Sequence, residues 1–147
     1  MAQPGAIFQK DILVIDDDEI LRALFSDWLQ QAGYRVRSSP NVAAALKALE
    51  EAPARLIVSD MYMPGACGVD AIAALKARAP LTPLIALSGR FDSGAGLGAK
   101  EALDAGAARA LPKPVRRAYF LGAVAELIGL PSAQAANSAT GYIQRFA

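Results

Sequence analysis

The sequence predicts an α/β fold, a doubly wound parallel sheet of five strands with helices on both faces, and three observations carry that expectation. Short apolar runs of about four residues alternate with longer segments of helical period, as in strands buried between covering helices. The chain has 147 residues, a length that suits one domain, and such domains bury roughly 68 to 70% of the surface their unfolded chains expose. Hydrophobic residues make up 54%, but roughly a fifth of the chain is Ala, which favours helix and buries little area. Helices packed closely on another layer are expected.

Taken in order, the first apolar run is Ile12 to Ile15, followed by Leu21, Leu24, Phe25, Trp28, Leu29 and Ala32 at helical spacing, with Gly33 as the stop. Trp28 is expected to pack at the edge of that helix. Tyr34 to Arg37 reads as a second strand, and Pro40 with a capping Asn41 opens a helix whose inner face is Val42, Ala45, Leu46 and Leu49. Pro53 closes it. Leu56 to Val58 is the third strand, and a loop from Met63 to Gly68 leads into a helix carrying Val69, Ile72 and Leu75. Pro80 and Pro83 bracket the turn into the fourth strand, Leu84 to Leu87. A fourth helix near Gly98 to Ala105 is weakly amphipathic, with Leu97 and Leu103 its large apolar residues. Ala108 to Leu111 is a poor strand by propensity, assigned because the alternation needs one. Phe120, Leu121, Val124, Leu127 and Ile128 mark the last helix.

Domain limits follow: an N-terminal extension over 1–10, the domain over 11–130, and a small, polar tail or linker over 131–147 whose Tyr142, Ile143 and Phe146 are its apolar residues.

Composition removes several chemistries. The chain contains no His, so it has no Ser-His-Asp or Cys-His pair, no imidazole-bound zinc and no phosphohistidine of its own. Fifteen Lys and Arg against fourteen Asp and Glu leave a net charge of +1, which argues against direct nucleic-acid binding. Cys67 is the one cysteine and forms no internal disulfide. Residues 1–10 lack a signal-peptide pattern and no run of about 18 strongly apolar residues occurs. A cytoplasmic protein without membrane contact is expected.

In an open parallel sheet, ligands bind beyond the carboxyl ends of the strands, where the strand order reverses. At those ends stand Asp16-Asp17-Asp18-Glu19, Ser59-Asp60, Ser88-Gly89 and Pro112-Lys113-Pro114. Asp18 or Glu19 is accounted for by a helix N-terminus, where acids cap and complement the dipole. Asp16, Asp17 and Asp60 together are not, because two carboxylates ~4 Å apart repel by about 4 kcal/mol at an effective dielectric of ~20. Lys113 offsets part of that cost. A divalent cation that prefers carboxylate and carbonyl oxygen offsets the rest, and Mg²⁺ is the choice these ligands make. Phosphate oxygens complete the coordination of such an ion, whereas the first turn lacks the Gly-x-Gly-x-x-Gly of a dinucleotide cradle.

Four motifs, Ile12-Leu13-Val14-Ile15-Asp16-Asp17, Asp60-Met61-Tyr62-Met63-Pro64 with Gly68, Ala86-Leu87-Ser88-Gly89 and Leu111-Pro112-Lys113-Pro114, occur in this order. Over residues 11 to about 130 the chain resembles the receiver domains of two-component response regulators, stand-alone chemotaxis-type regulators among them. The resemblance implies a flavodoxin-like strand order, 2-1-3-4-5. It implies Asp60 as phosphoacceptor, a carboxylate nucleophile that takes a phosphoryl group from a phosphohistidine. It further implies Asp16, Asp17, Asp60 and the Tyr62 carbonyl as Mg²⁺ ligands, with Asp16 acting directly or through water. Lys113 pairs with Asp60 and later with the phosphoryl group, and Ser88 hydrogen-bonds a phosphoryl oxygen. The implied partners are a sensor histidine kinase or histidine phosphotransfer protein upstream and a protein downstream, and a homodimer is compatible with it. Phosphoryl transfer needs positioning and neutralised charge, and a metal with a Lys provides both.

The chain departs from the pattern at Ala110, where receivers carry an inward-turning aromatic. Phe91 and Tyr119 are alternative switch candidates, and the glycine-rich start of the fourth helix (Gly94, Gly96, Gly98) is a segment that phosphorylation is expected to order. Gly89 leaves the phosphoryl position uncovered, and Tyr62 and Arg90 flank the entrance. The leading expectation is a stand-alone phosphorylatable binding module, not a turnover enzyme. The alternatives are a receiver cut from a larger regulator or hybrid kinase, an Asp-nucleophile phosphatase, which would carry a second Asp where Tyr62 stands, and a pseudo-receiver, against which the intact acids and Lys113 argue.

Overall fold

The structure, a computed structural model, describes residues 11–65, 67–89 and 98–131. Five parallel strands, β1 (Asp11–Ile15), β2 (Arg35–Ser39), β3 (Leu56–Asp60), β4 (Leu84–Ser88) and β5 (Arg109–Pro112), lie in the order β2-β1-β3-β4-β5. Five helices connect them: α1 (Glu19–Gln31), α2 (Val42–Glu51), α3 (Gly68–Arg78), α4 (Ala99–Ala105) and α5 (Arg117–Ile128). The doubly wound α/β class and the strand order agree with expectation, and the reversal at β1 and β3 sets the ends of those two strands side by side.

Alternation along each strand feeds two separate cores. Leu13, Ile15, Ile57 and Ala86 join α2, α3 and α4 on one face, through residues such as Ala45, Ile72 and Ala102. Ile12, Val14, Val58 and Ile85 join α1 and α5 on the other, where Phe25, Leu29, Phe120 and Val124 are buried. Trp28 is half-buried at the rim of that second layer, 5.5 Å from the Phe25 ring and 6.0 Å from Phe120 by centroid. Strands buried on both faces need no polar side, which is why their sequences read as unbroken apolar runs.

Local signals account for the ends of the elements. The Asp18 carboxylate accepts from the Ile20 and Leu21 N–H groups and caps α1, and Asn41 accepts from the Ala44 N–H and caps α2. After α1 the chain turns through Gly33 at φ 104°, a conformation that favours glycine. Pro131 packs so closely there that a Cβ on Gly33 would lie 3.0 Å from its ring.

Several boundaries and faces differ from the expectation. The second strand is Arg35–Ser39, not Tyr34 to Arg37; Tyr34 precedes it as a buried core residue whose hydroxyl donates to the Gly129 carbonyl at 2.8 Å. In α3 the inner stripe is Ala71, Ile72 and Leu75. Val69 lies over a quarter-turn off that stripe at about 3.6 residues per turn, and it is exposed. Leu24 and Leu103 are likewise exposed, and Ala102 anchors α4, a helix too short to bury more than one turn. The last strand is Arg109–Pro112, one residue later than expected. Leu97, the tail residues Tyr142, Ile143 and Phe146, and the extension over 1–10 lie outside the described residues. Among the described residues no helix is long and apolar enough to cross a membrane.

Candidate functional site

The site is built from the last residues of strands and the first residues after them. β1 stops pairing at Ile15, opposite Ser39 and Ser59. Asp16 follows, almost wholly buried, with its N–H donating to the Ser39 carbonyl at 3.2 Å. Its Oδ1 accepts from the Asp18 N–H at 2.9 Å, and its carbonyl accepts from Arg22 Nη1 at 2.7 Å. Asp17 is exposed beside it. Asp60 ends β3 in register with Leu87 of β4 and is buried.

Ligand atoms from Asp16, Asp17 and Asp60 all lie within 4.8 Å of one another. Residues 44 positions apart in the chain are thus gathered at the switch point, as the strand order requires. Lys113, just past β5, places Nζ 2.8 Å from Asp60 Oδ1 and 3.3 Å from Asp16 Oδ2. Its own N–H donates to the Ser88 carbonyl at 2.9 Å, tying the Lys to the end of β4. Ser88 is fully buried as the last residue of β4, and Tyr62 is half-buried in the loop after β3. That loop is closed by the Gly68 N–H donating to the Met61 carbonyl at 2.8 Å. The Lys113–Pro114 peptide bond is cis.

Electrostatics follow from this packing. Burial raises Asp60 above the ordinary carboxylate value; the hydrogen bond and charge of Lys113 oppose the rise, and the Asp16 and Asp17 charges add to it. For Lys113 burial acts downward, but Asp60 and Asp16 together outweigh it and its pKa is raised. One ammonium pairs with two of the three clustered carboxylates, Asp60 and Asp16, so the cluster holds excess negative charge. Its hard oxygen donors, close spacing and unneutralised charge fit a divalent cation such as Mg²⁺, which takes one or two carboxylates and keeps several waters.

Asp16, Asp17, Asp60, Lys113, Ser88 and Tyr62 all fall at the carboxyl edge of the sheet. Asp18, rather than Glu19, is the helix cap. Apart from its own chain neighbours, no described residue has an atom within 4 Å of the position a Cβ on Gly89 would take. Ala110 is half-buried in β5, opposite Ala86, and packs toward α3 and α4. Tyr119 is exposed on α5. Phe91, Arg90, Gly94 and Gly96 lie outside the described residues. Sequence reasoning missed Arg22, because a lone Arg on a helix reads as solvated surface; its position five residues after Asp17 and one turn into α1 was the available signal.

A family model described as the response regulator receiver domain matches residues 12–125. The chain is 40% identical over 112 residues to the transcriptional regulatory protein KdpE of Mycobacterium tuberculosis, covering 75% of this chain and 47% of that protein. It is 35% identical over 83 residues to a putative response regulator, NtrX-like, of Rickettsia conorii, covering 55% of this chain and 18% of the relative. It thus spans less than half the length of either relative. Among solved structures it is similar to the chemotaxis protein CheY4 of Vibrio cholerae, at 26% identity and a TM-score of 0.71, over 80% of this chain and 97% of that one.

Proposed function

The chain belongs to the response regulator receiver domain family, and from that premise we propose that it is a phosphorelay receiver which accepts a phosphoryl group on Asp60 and signals through an altered binding surface. The observation that carries the reading is the convergence of three carboxylates within 4.8 Å with one ammonium 2.8 Å from Asp60. An Asp60 oxygen attacks phosphorus, the nitrogen–phosphorus bond of a partner's phosphohistidine breaks, and an acyl phosphate forms. Lys113 holds the Asp60 oxygen before transfer and follows the new negative charge afterwards. Ser88 donates its hydroxyl to a phosphoryl oxygen.

Asp16, Asp17, Asp60 and the Tyr62 carbonyl would hold Mg²⁺. When bound, the ion neutralises charge spread over the transferring group.

The domain proper spans 11–130, and the protein works in the cytoplasm between a sensor histidine kinase or histidine phosphotransfer protein and a downstream protein. It takes up one phosphoryl group per cycle and releases it slowly, instead of turning over small esters. A second reading is a receiver acting within a longer regulator, and the 47% coverage of the KdpE relative favours it. Incubation with a small-molecule phosphodonor, followed by intact-mass measurement, tests the chemistry. A single phosphoryl adduct is expected on wild type with Mg²⁺ and neither with chelator nor on Asp60→Asn. No adduct on wild type in Mg²⁺ would overturn the reading.

A further inference from the structure

Asp16 has every polar backbone and side-chain atom engaged, and its carbonyl is held by a side chain of α1. The parallel ladder ends at Ile15, so no neighbouring strand reaches the Asp16 carbonyl. Arg22 does, with Nη1 donating to it at 2.7 Å from the second turn of α1. Arg22 is itself fixed to the same turn, since its N–H donates to the Asp18 carbonyl at 2.9 Å. Asp18 in turn donates its N–H to Asp16 Oδ1 and caps α1 with its carboxylate. The carbonyl that Arg22 holds belongs to the peptide joining Asp16 to Asp17. A peptide unit is planar, so fixing its oxygen fixes the direction in which the chain enters Asp17. Asp17 is exposed and contributes an oxygen to the three-acid cluster.

We propose that Arg22 is a positioning residue for the cation site, locking the Asp16–Asp17 peptide plane so that the Asp17 carboxylate is held toward Asp16 and Asp60. The proposal rests on the receiver reading, in that the site it serves is the proposed Mg²⁺ site. Charge and geometry oppose each other here. A guanidinium close to a dication weakens binding by repulsion, so if charge were its whole effect, removing it would tighten Mg²⁺ binding. If it positions a ligand, removing it loosens binding, as loss of groups that orient metal ligands generally does, by about 10- to 100-fold.

Calorimetric titration with Mg²⁺ alone separates the two effects in wild type, Arg22→Met, Arg22→Gln and Arg22→Lys, each checked for folding by circular dichroism. Arg22→Met and Arg22→Gln, neither of which reaches the Asp16 carbonyl with a charged donor, are expected to bind about tenfold more weakly than wild type. Arg22→Lys is expected to bind more tightly than Arg22→Gln, despite its added charge beside the dication. In the phosphodonor reaction, the Mg²⁺ concentration for half-maximal rate moves by the same factor, while the rate at saturating Mg²⁺ stays within about twofold of wild type, as a ligand-orienting role predicts. Unchanged or tighter binding in a folded Met or Gln variant overturns the proposal, and so does a Lys variant weaker than Gln. Absence of Mg²⁺ binding in wild type defeats the site reading itself, which is a distinct result.

Discussion

Lys113 Nζ lies 2.8 Å from Asp60 Oδ1, and the same ammonium is the nearest positive charge to Asp16 at 3.3 Å among the ion pairs of the site. Both acids are buried. Removing the cation therefore strands two carboxylates in a poorly solvated place. Lys113→Ala is expected to lower the free energy of unfolding by about 3 kcal/mol at neutral pH, the usual cost of breaking a buried pair from one side. Saturating Mg²⁺ recovers part of the loss. Urea unfolding with Mg²⁺ and with chelator measures both; equal losses in the two conditions would separate the Lys from the cation site.

Asp60→Asn acts in the opposite direction. It keeps the side-chain volume and removes a charge that burial and two neighbouring acids disfavour. Phosphoryl acceptance is lost, but the folded state without Mg²⁺ is stabilised. A rise in Tm of about 3 °C, what ~1 kcal/mol gives a domain of this size, is expected by calorimetry. A fall in Tm would mean that the bond to Lys113 outweighs the crowding.

The pH dependence of stability carries the same signature. Asp60 is raised above its ordinary 3.8, so between 3.8 and its folded value the native chain holds more protons than the unfolded one. Unfolding free energy then declines as pH rises through that window. Lys113, raised above 10.5, contributes stability that is complete below 10.5 and is lost as pH rises through its folded value. Denaturation of wild type beside Asp60→Asn isolates the acid limb. The Asn variant's advantage should be absent below 3.8 and grow through the window above it. A constant advantage at every pH would exclude Asp60 as its source.

At the opposite pole of the sheet, Arg37 pairs with Asp11, whose pKa burial raises against the pull of Arg37. The same guanidinium donates to the Ala48 and Ala52 carbonyls at 2.8 and 2.9 Å, closing the C-terminus of α2. Arg37→Met is expected to cost ~2 kcal/mol, since it removes the guanidinium from the Ala48, Ala52 and Pro53 carbonyls, and leaves an acid without its partner. Adding Asp11→Asn should restore part of that loss in a double-mutant cycle of urea unfolding. Strict additivity would show that the ion pair contributes nothing beyond the helix cap.

Legibility in the sequence followed burial. β1, β3 and β4 are buried at every position, so their apolar runs stand out and their ends deliver Asp16, Asp60 and Ser88 directly. The edge strand β2 reads Arg-Val-Arg-Ser-Ser and is mostly solvated. Its limits were therefore displaced onto Tyr34, which is apolar for a different reason: it fills the core beside α5. Val69 and Leu103 misled because Ala71 and Ala102 take inner positions on their helices, and Leu24 because it lies at the exposed edge of the stripe that Phe25 and Leu29 bury. Asn41 was legible, and the α1 cap was narrowed to Asp18 or Glu19, because a cap acts within three residues of itself. Arg22 and Arg37 were not, since each bonds to backbone carbonyls, which leave no mark on side-chain identity and become neighbours only through the fold.

The two cores divided by the sheet also differ in what they emit. The single tryptophan of the chain, Trp28, sits with Phe25 and Phe120 on the α1 and α5 side. Its emission is a witness to that layer alone. The layer of α2, α3 and α4 is built from aliphatic side chains and Ala around Met61 and Met63, with Tyr62 at its margin. Loosening there would pass unseen by tryptophan while still registering in the amide signal of three helices. Coincident melting curves from the two signals would therefore establish that the halves of this molecule rise and fall together, and an amide transition that precedes the tryptophan one would assign the earlier loss to the aliphatic half.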